Sequence, residues 1–278
     1  MKRRQFLRGA SALTFIAAHE QFAWNAPSAA RPAFANDDVA RILKLRLLTA
    51  VPLAEMKKFY HELLGLPLLE DKTEEVTFSG GQTPITFTQA QPEHGEPFYH
   101  VAFNIPENKI RGARAWQQQR TKLDRLGPHL RDPEMPEDVV HFRHWNARSI
   151  FFWDPAGNLI EYIARHDLKN GATGAFDARD LLYASEIAFI TNDVANTASE
   201  MRKALGLEQY RNGDESFRAL GDEHGLLLVI NRGRRWGYDK EAARPTDIFP
   251  TVAEIRGAQS SKYALTNYPY EIAVRVGK

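Results

Sequence analysis

Cysteine is absent from the 278 residues, and that one absence excludes disulfides, thiolate metal sites and a cysteine nucleophile. Any metal ligand must then be His, Asp or Glu. Long apolar runs are missing too: no stretch approaches the roughly 18 consecutive apolar residues of a spanning helix, so no membrane span is expected. There is little excess of charge, with 36 basic against 35 acidic side chains. Five of the basic and one of the acidic ones fall in residues 1–35, which leaves 31 against 34 in the remainder. Such a weakly acidic body lacks the concentrated basic surface that phosphate binding uses, and nucleic acid is excluded as the main partner. No phosphate loop, dinucleotide fingerprint or serine elbow occurs. What is present is a globular composition, 43% hydrophobic and 26% charged, long enough for two compact units.

The first residues read as an address. Met1-Lys2-Arg3-Arg4-Gln5-Phe6-Leu7-Arg8 precedes the modestly apolar run Gly9 to Ala18, which resembles a twin-arginine export signal, read by a transporter of already folded proteins. Ala33-Phe34-Ala35 offers a small-x-small cleavage site, and Ser28-Ala29-Ala30 is an alternative. The expectation is a signal over residues 1–35 and export to the periplasm or another extracytoplasmic space; an amphipathic or disordered arm is the other reading. Export in the folded state suits a protein that receives its cofactor beforehand, which favours a metal.

One phrase then recurs three times: a β-rich run, an amphipathic helix, several short strands. The first begins at Ile42–Leu48, continues through a helix opened by Pro52 and stopped at Gly65, and ends in strands Glu75–Phe78 and Ile85–Thr88. The second starts at Phe98–Phe103, has a polar helix near Lys109–Arg120, and finishes with Ser149–Trp153 and Leu159–Ala164 around the turn Asp154-Pro155-Ala156-Gly157-Asn158. The third starts at Ser185–Ile190, with Asp193 as N-cap, a buried stripe of Val194, Ala198, Met201 and Leu205, and strands Ser216–Leu220 and Leu226–Ile230. Pro269–Val276 reads as a lone terminal strand. One such sheet cannot close a barrel, so units pair, and two cupped sheets leave a cleft for a metal and a small molecule.

Two stretches carry a resemblance. Phe59-Tyr60-His61-Glu62-Leu63-Leu64-Gly65-Leu66-Pro67-Leu68 resembles the first helix, and Asp154-Pro155-Ala156-Gly157-Asn158-Leu159-Ile160-Glu161 the D-P-x-G-N-x-x-E ending, of the vicinal oxygen chelate superfamily. Its members include glyoxalase I, fosfomycin-resistance and bleomycin-binding proteins and extradiol ring-cleaving dioxygenases. The resemblance implies an α+β fold of βαβββ units: two paired units forming a cleft over residues 38–168, a linker over 169–180, and a third unit with an incomplete fourth over 181–278. It does not imply one activity, since the scaffold hosts lyases, oxygenases, isomerases and binding proteins.

In that superfamily the metal ligands sit on first and last strands of paired units, which in unit two correspond to His100 and Glu161. Strand parity agrees, because turning Val101 and Phe103, or Ile160 and Tyr162, toward the helix layer turns His100 and Glu161 to the cleft. A His and a carboxylate suit Fe(II), Mn(II), Zn(II) or Ni(II); the alternative is a pair that bind each other or water in a metal-free cleft. Unit one offers only Leu45 or Arg46, and Thr86 or Phe87, at the matching places. Unit three offers Glu186, which a strand end near solvent would explain equally, and Leu228. His144, seventeen residues before Glu161, resembles the acid–base histidine of ring-cleaving dioxygenases and is either that proton carrier or a third ligand, unless it is a loop histidine beside Trp145. His141 is a lesser candidate. Those dioxygenases place a tyrosine where Phe151 stands.

For the substrate, Phe151, with Tyr99, Trp145 and Trp153, either lines an aromatic pocket or fills the core. Arg46 either faces the cleft, to pair with an anionic substrate or Glu161, or lies on the alternate face. Arg232-Gly233-Arg234-Arg235-Trp236 either binds an anion or, the preferred reading, is a solvated loop. Two functions remain: a metal-dependent enzyme acting on a small molecule with vicinal oxygens, or a metal-free protein that binds or sequesters one. The extra half-domain could serve subunit contact, most simply in a homodimer.

Overall fold

The computed structural model describes residues 40–124, 131–136, 138–237, 243–257 and 260–276; the leader expected over residues 1–35 lies outside them. The fold is α+β, mostly strands with three helices among the described residues, in βαβββ repeats. Unit one consists of β1 (Arg41–Thr49), α1 (Leu53–Lys57), β2 (Leu68–Asp71), β3 (Glu75–Gly80) and β4 (Thr83–Gln89). Past Lys57 the expected longer helix widens into a π-helical turn, Lys58–Leu63, that buries Phe59 and Tyr60. The left-handed Gly65 (φ +72°) ends it. Unit two has β5 (His100–Ile105), α2 (Ile110–Gln118), β6 (Val140–Phe142), β7 (Ala147–Trp153) and β8 (Leu159–Arg165). Unit three has β9 (Tyr183–Thr191), α3 (Val194–Leu205), β10 (Gln209–Asp214), β11 (Phe217–Asp222) and β12 (Gly225–Asn231). The boundaries of α3 follow from its caps. The Asp193 side chain accepts from the Asn196 amide at 3.0 Å, Gly206 takes the left-handed C-terminal position, and Val194, Ala198, Met201 and Leu205 are all buried.

The chain ends in a small hairpin, β13 (Arg235–Trp236) with β14 (Arg244–Pro245), and then β15 (Thr251–Arg256), β16 (Ser261–Ala264) and β17 (Tyr270–Arg275). Three strands therefore stand where a lone terminal strand was expected.

Two sheets result. One runs β16-β17-β15-β1-β4-β3-β2 and the other β10-β11-β12-β9-β5-β8-β7-β6. In each, two units join through their first strands, antiparallel: β1 with β15, and β5 with β9. Unit two is thus paired with unit three, not with unit one as expected, and unit one is completed by the terminal strands. Residues 38–168 and 181–278 each contribute to both sheets. Unit one instead packs across the sheet of unit two. The Phe103 ring of β5 lies 2.4 Å from where a Cβ on Gly80 would stand, so the β3–β4 turn meets β5 face on and only glycine fits. Thr83 at the same turn accepts from the Ala184 amide (3.0 Å) and donates to the Ile42 carbonyl (2.9 Å), tying the sheets together. Leu45, Leu47 and Phe87 on one sheet and Phe103, Tyr162 and Phe189 on the other share a single core with the helices. The opposite face of each sheet is left for other work.

Candidate metal centre and ligand cavity

The hairpin between β7 and β8 sets the site. Gly157 takes φ +77°, and its amide donates to the Asp154 carbonyl (3.0 Å). The buried Asp154 carboxylate accepts from the Asn158 amide (2.8 Å), the Asn158 Nδ2 (2.7 Å) and the Tyr60 hydroxyl (2.7 Å). Asn158 then uses its Oδ1 to accept from the Tyr99 amide at 2.7 Å. This clamp fixes β5 against β8 in parallel register, His100 beside Leu159 and Ala102 beside Glu161. Because alternate residues share a face, His100 and Glu161 emerge together on the face away from the core.

The antiparallel pairing of β5 with β9 places Glu186 beside Ala102 and so on that same face. His100 Nε2 lies 3.3 Å from Glu161 Oε2 and 3.8 Å from Glu186 Oε2. All three side chains are buried, and they offer one nitrogen and two oxygens within 4.8 Å of one another, the one such group of three among the described residues. Glu186 is not a strand end near solvent but the middle of a fully buried strand. It was legible only by superposing Ser185-Glu186-Ile187-Ala188-Phe189 on Tyr99-His100-Val101-Ala102-Phe103. Unit three repeats unit two to the residue: Glu186 pairs with Leu226 as His100 pairs with Leu159, so Leu228 answers to Glu161.

Three features of the surroundings decide what this group can do. His100 Nδ1 is 3.0 Å from the Leu159 carbonyl, which can only accept, so Nδ1 carries the hydrogen and Nε2 faces the carboxylates. Glu186 Oε1 accepts from the guanidinium of the fully buried Arg165, whose Nε donates to Asn104 Oδ1 at 3.1 Å. Glu161 Oε1 is buried with no hydrogen-bond partner. Burial alone would lower the His100 pKa, but hydrogen bonds and charge from Glu161 and Glu186 outweigh it and push it up to about 10. Burial, then the charge of Glu186, raises Glu161 against the opposing pull of His100. The His100 shift says that the group retains a proton well past neutrality. An Nε2 that holds that proton can instead hold a metal, and the orphaned Glu161 oxygen and the one-nitrogen, two-carboxylate donor set fit a divalent cation.

The group opens into a cavity of about 720 Å³, within the usual size of a small-molecule site. Phe151 and Trp236 flank the His100 ring at centroid distances of 6.2 and 5.5 Å. Phe142, Trp145 and Phe217 continue the wall, and Leu228 and Ile230 supply aliphatic surface. His144, on the turn Arg143–Trp145, lines the cavity and hydrogen-bonds no described residue. Of the other expected positions, Trp145 lines the cavity, whereas Tyr99 is structural, its hydroxyl donating to the Pro250 carbonyl (2.9 Å) and accepting from the Leu48 amide (3.1 Å). His141 lies off the cavity, with Nδ1 3.5 Å from Asp132. Arg46 is not in the cleft: it belongs to the other sheet and pairs with Glu75 at 2.6 Å on that sheet's outer face. Of its two readings, the alternate-face position is the one that Arg46 takes. Residues 232–235 are exposed, as the solvated-loop reading expects, but Trp236 is buried, and Arg234, Arg235 and Trp236 line the cavity.

Residues 47–162 match the family model described as the Glyoxalase/Bleomycin resistance protein/Dioxygenase superfamily; Glu186 lies beyond the match. No curated protein matches the chain. Among solved structures, a candidate dioxygenase from Bacillus subtilis is similar at 14% identity and a TM-score of 0.54, over 85% of this chain and 86% of that one. Glyoxalase I from Zea mays is 14% identical, TM-score 0.47, over 84% and 92%. A glyoxalase/bleomycin resistance protein/dioxygenase from Nocardioides is 23% identical, TM-score 0.35, over 53% and 93%. Among the described residues no helix is long and apolar enough to cross a membrane.

Proposed function

Starting from a chain whose residues 47–162 form a domain of the Glyoxalase/Bleomycin resistance protein/Dioxygenase superfamily, we propose that the protein is a metal-dependent enzyme acting on a small molecule with two adjacent oxygens. The observation that carries this reading is the buried convergence of His100, Glu161 and Glu186 at the floor of the cavity. His100 Nε2 and one oxygen of each carboxylate would hold Fe(II), Mn(II), Zn(II) or Ni(II). Such an ion supplies Lewis-acid stabilisation of an enolate- or catecholate-like anion on the chelated oxygens.

The chain does the rest. Leu159 holds the imidazole in the tautomer that leaves Nε2 free, and Arg165 holds the Glu186 carboxylate in place through its guanidinium. With His100 neutral, Glu161, Glu186 and Arg165 sum to one negative charge, so a divalent ion leaves the floor one unit positive and suited to a singly charged chelating group. His144, which lines the wall and hydrogen-bonds no described residue, carries the proton that the substrate gives up or receives. Phe151 and Trp236 exclude water from the reacting end.

A second reading keeps the cavity and drops the ion. With His100 protonated, the floor holds two positive and two negative groups, already balanced without a metal, and the protein would bind or sequester its ligand. Export belongs to the same proposal: Arg3-Arg4 and the run to Ala18 would carry the folded protein out of the cytoplasm, so replacing both arginines with lysine should retain it there. The deciding measurement is the metal content of protein purified without chelators, beside H100A/E161A and E186A variants. About one ion per chain, lost in both variants, supports the enzyme reading; wild-type protein that arrives empty and takes up none of the four ions leaves the binding reading.

A further inference from the structure

Outside residues 1–35 acidic side chains outnumber basic ones, yet the mouth of the cavity gathers three arginines, Arg211, Arg234 and Arg235. They come from two separate devices. The pairing of β10 with β11 runs in register at Gln209 and Tyr210, breaks, and resumes at Asp214 opposite Phe217. The residues between form a bulge, in which Arg211 takes φ +55°, a left-handed conformation that L residues with long side chains seldom adopt. A Cβ on Gly213 would stand 2.6 Å from the Phe217 carbonyl oxygen, so the bulge needs glycine to close. Its effect is to aim Arg211 and Asn212 over the cavity. Backbone strain of this kind persists where the surroundings enforce it, and it concentrates at ligand-binding positions.

The second device is the β13–β14 hairpin. It buries Trp236 against His100 and Phe98 and thereby holds Arg234 and Arg235 at the rim. Arg211 is positioned by Asp167 (3.2 Å) and Glu223 (3.5 Å). Arg234 donates to Ser216 Oγ at 3.1 Å and lies over the Phe217 ring, while Arg235 donates to the Ala243 carbonyl. Neither Arg234 nor Arg235 has a carboxylate within 4.0 Å among the described residues. The cavity is therefore graded: carboxylates and an imidazole at the floor, aromatic rings along the walls, guanidinium groups at the mouth.

We propose that Arg211, Arg234 and Arg235 form an anion-recognising collar, so that the molecule the cavity takes is an acid. It has a flat, largely apolar body for the aromatic walls, adjacent oxygens at its inner end, and a carboxylate or comparable anionic group at its outer end. This rests on the metal-site reading only for the inner end; the collar acts on the outer end alone. Arginine suits the task because its planar fork meets a carboxylate through two parallel hydrogen bonds. The collar also fixes which way round the molecule enters, since it holds the anionic tail at the mouth and leaves the flat body to run along the aromatic walls.

The test follows the fluorescence of Trp145 and Trp236 in the full-length protein, metal-replete and chelator-treated. The probes are a catechol carrying a propanoate side chain, the corresponding amide, phenylpropanoate and its amide. Each acid should bind about tenfold more tightly than its amide, as one charge-assisted contact allows, and added salt should shrink the difference. R234A/R235A should bring the acids down to the affinity of the amides and leave the amides unchanged. R211N, which keeps a residue tolerant of the left-handed backbone, should do the same in part. Chelation should weaken the catechols and leave the acid preference of phenylpropanoate intact. An acid preference that survives while chelation changes nothing supports the collar and defeats the metal-site reading. Equal binding of acid and amide by the wild type overturns the collar. So does an equal loss of both in R234A/R235A at an unchanged melting temperature, or no response to any probe at millimolar concentration.

Discussion

The two sheets are built from the same repeat and joined the same way, yet among the described residues the candidate metal group lies on one of them. On the sheet of units two and three the face away from the core holds His100, Glu161 and Glu186, all buried under aromatic side chains. The matching face of the other sheet holds Arg46 and Glu75, an ion pair whose arginine is 41% exposed, and the hydroxyl pair Thr77–Thr86 (2.9 Å). What separates them is cover. The turn bearing His144 and Trp145, the β10 bulge and the β13–β14 hairpin roof one face, and among the described residues no such roof lies over Arg46. Charge held in water interacts weakly, while the same charges out of water interact strongly and shift each other's proton affinity. A cupped sheet is thus a scaffold, and exclusion of solvent is what turns polar residues on it into a site.

That contrast can be broken at its strongest point. R165M should remove the partner of the buried Glu186 and cost about 3–5 kcal/mol in denaturant unfolding, the usual result of stranding one charge of a buried pair; R165M/E186L should recover most of it. A loss below about 1 kcal/mol for the single variant would mean that water reaches this floor and that it resembles the other sheet after all.

The pH dependence sharpens the same point with an effect spread over several pH units. In chelator-treated protein the His100 imidazolium is held up to about 10 by Glu161 and Glu186. A group whose folded pKa is raised stabilises fully below its unfolded value, near 6.5, and loses that contribution as pH climbs through the folded value. Wild-type stability should therefore fall relative to H100Q between about pH 7 and 10, by at most about 1.4 kcal/mol per pH unit. A constant difference across that window would show His100 to be neutral. At the bottom of the scale, R46A should change stability by only about 0.2–1 kcal/mol, with high salt shrinking the effect, since the arginine of the pair is exposed. A larger loss would show that the outer face of the first sheet is covered in solution.

Much of this was legible beforehand because it is local. Asp193 and Gly206 bracket α3, Asp154 to Asn158 makes the clamp that registers β5 against β8, and period-two alternation turns His100 and Glu161 the same way. Arg165, the partner that holds Glu186, went unseen because it closes a strand read as ending one residue earlier, at Ala164. The β10 bulge went unseen because nothing in Arg211-Asn212-Gly213 distinguishes an edge-strand bulge from a loop.

By itself the sequence determined the absence of thiol chemistry, the repeat, and the direction in which each strand's side chains point, all of which depend on residues a few positions apart. Only the tertiary structure decided which first strands would meet. All four units present an open first-strand edge with similar alternation, and the choice falls to distant contacts such as Phe103 against Gly80 and Thr83 with Ala184. From that choice follow the arrival of Glu186 beside His100, the departure of Arg46, and the roof of aromatics and arginines that residues 211–236 close over them.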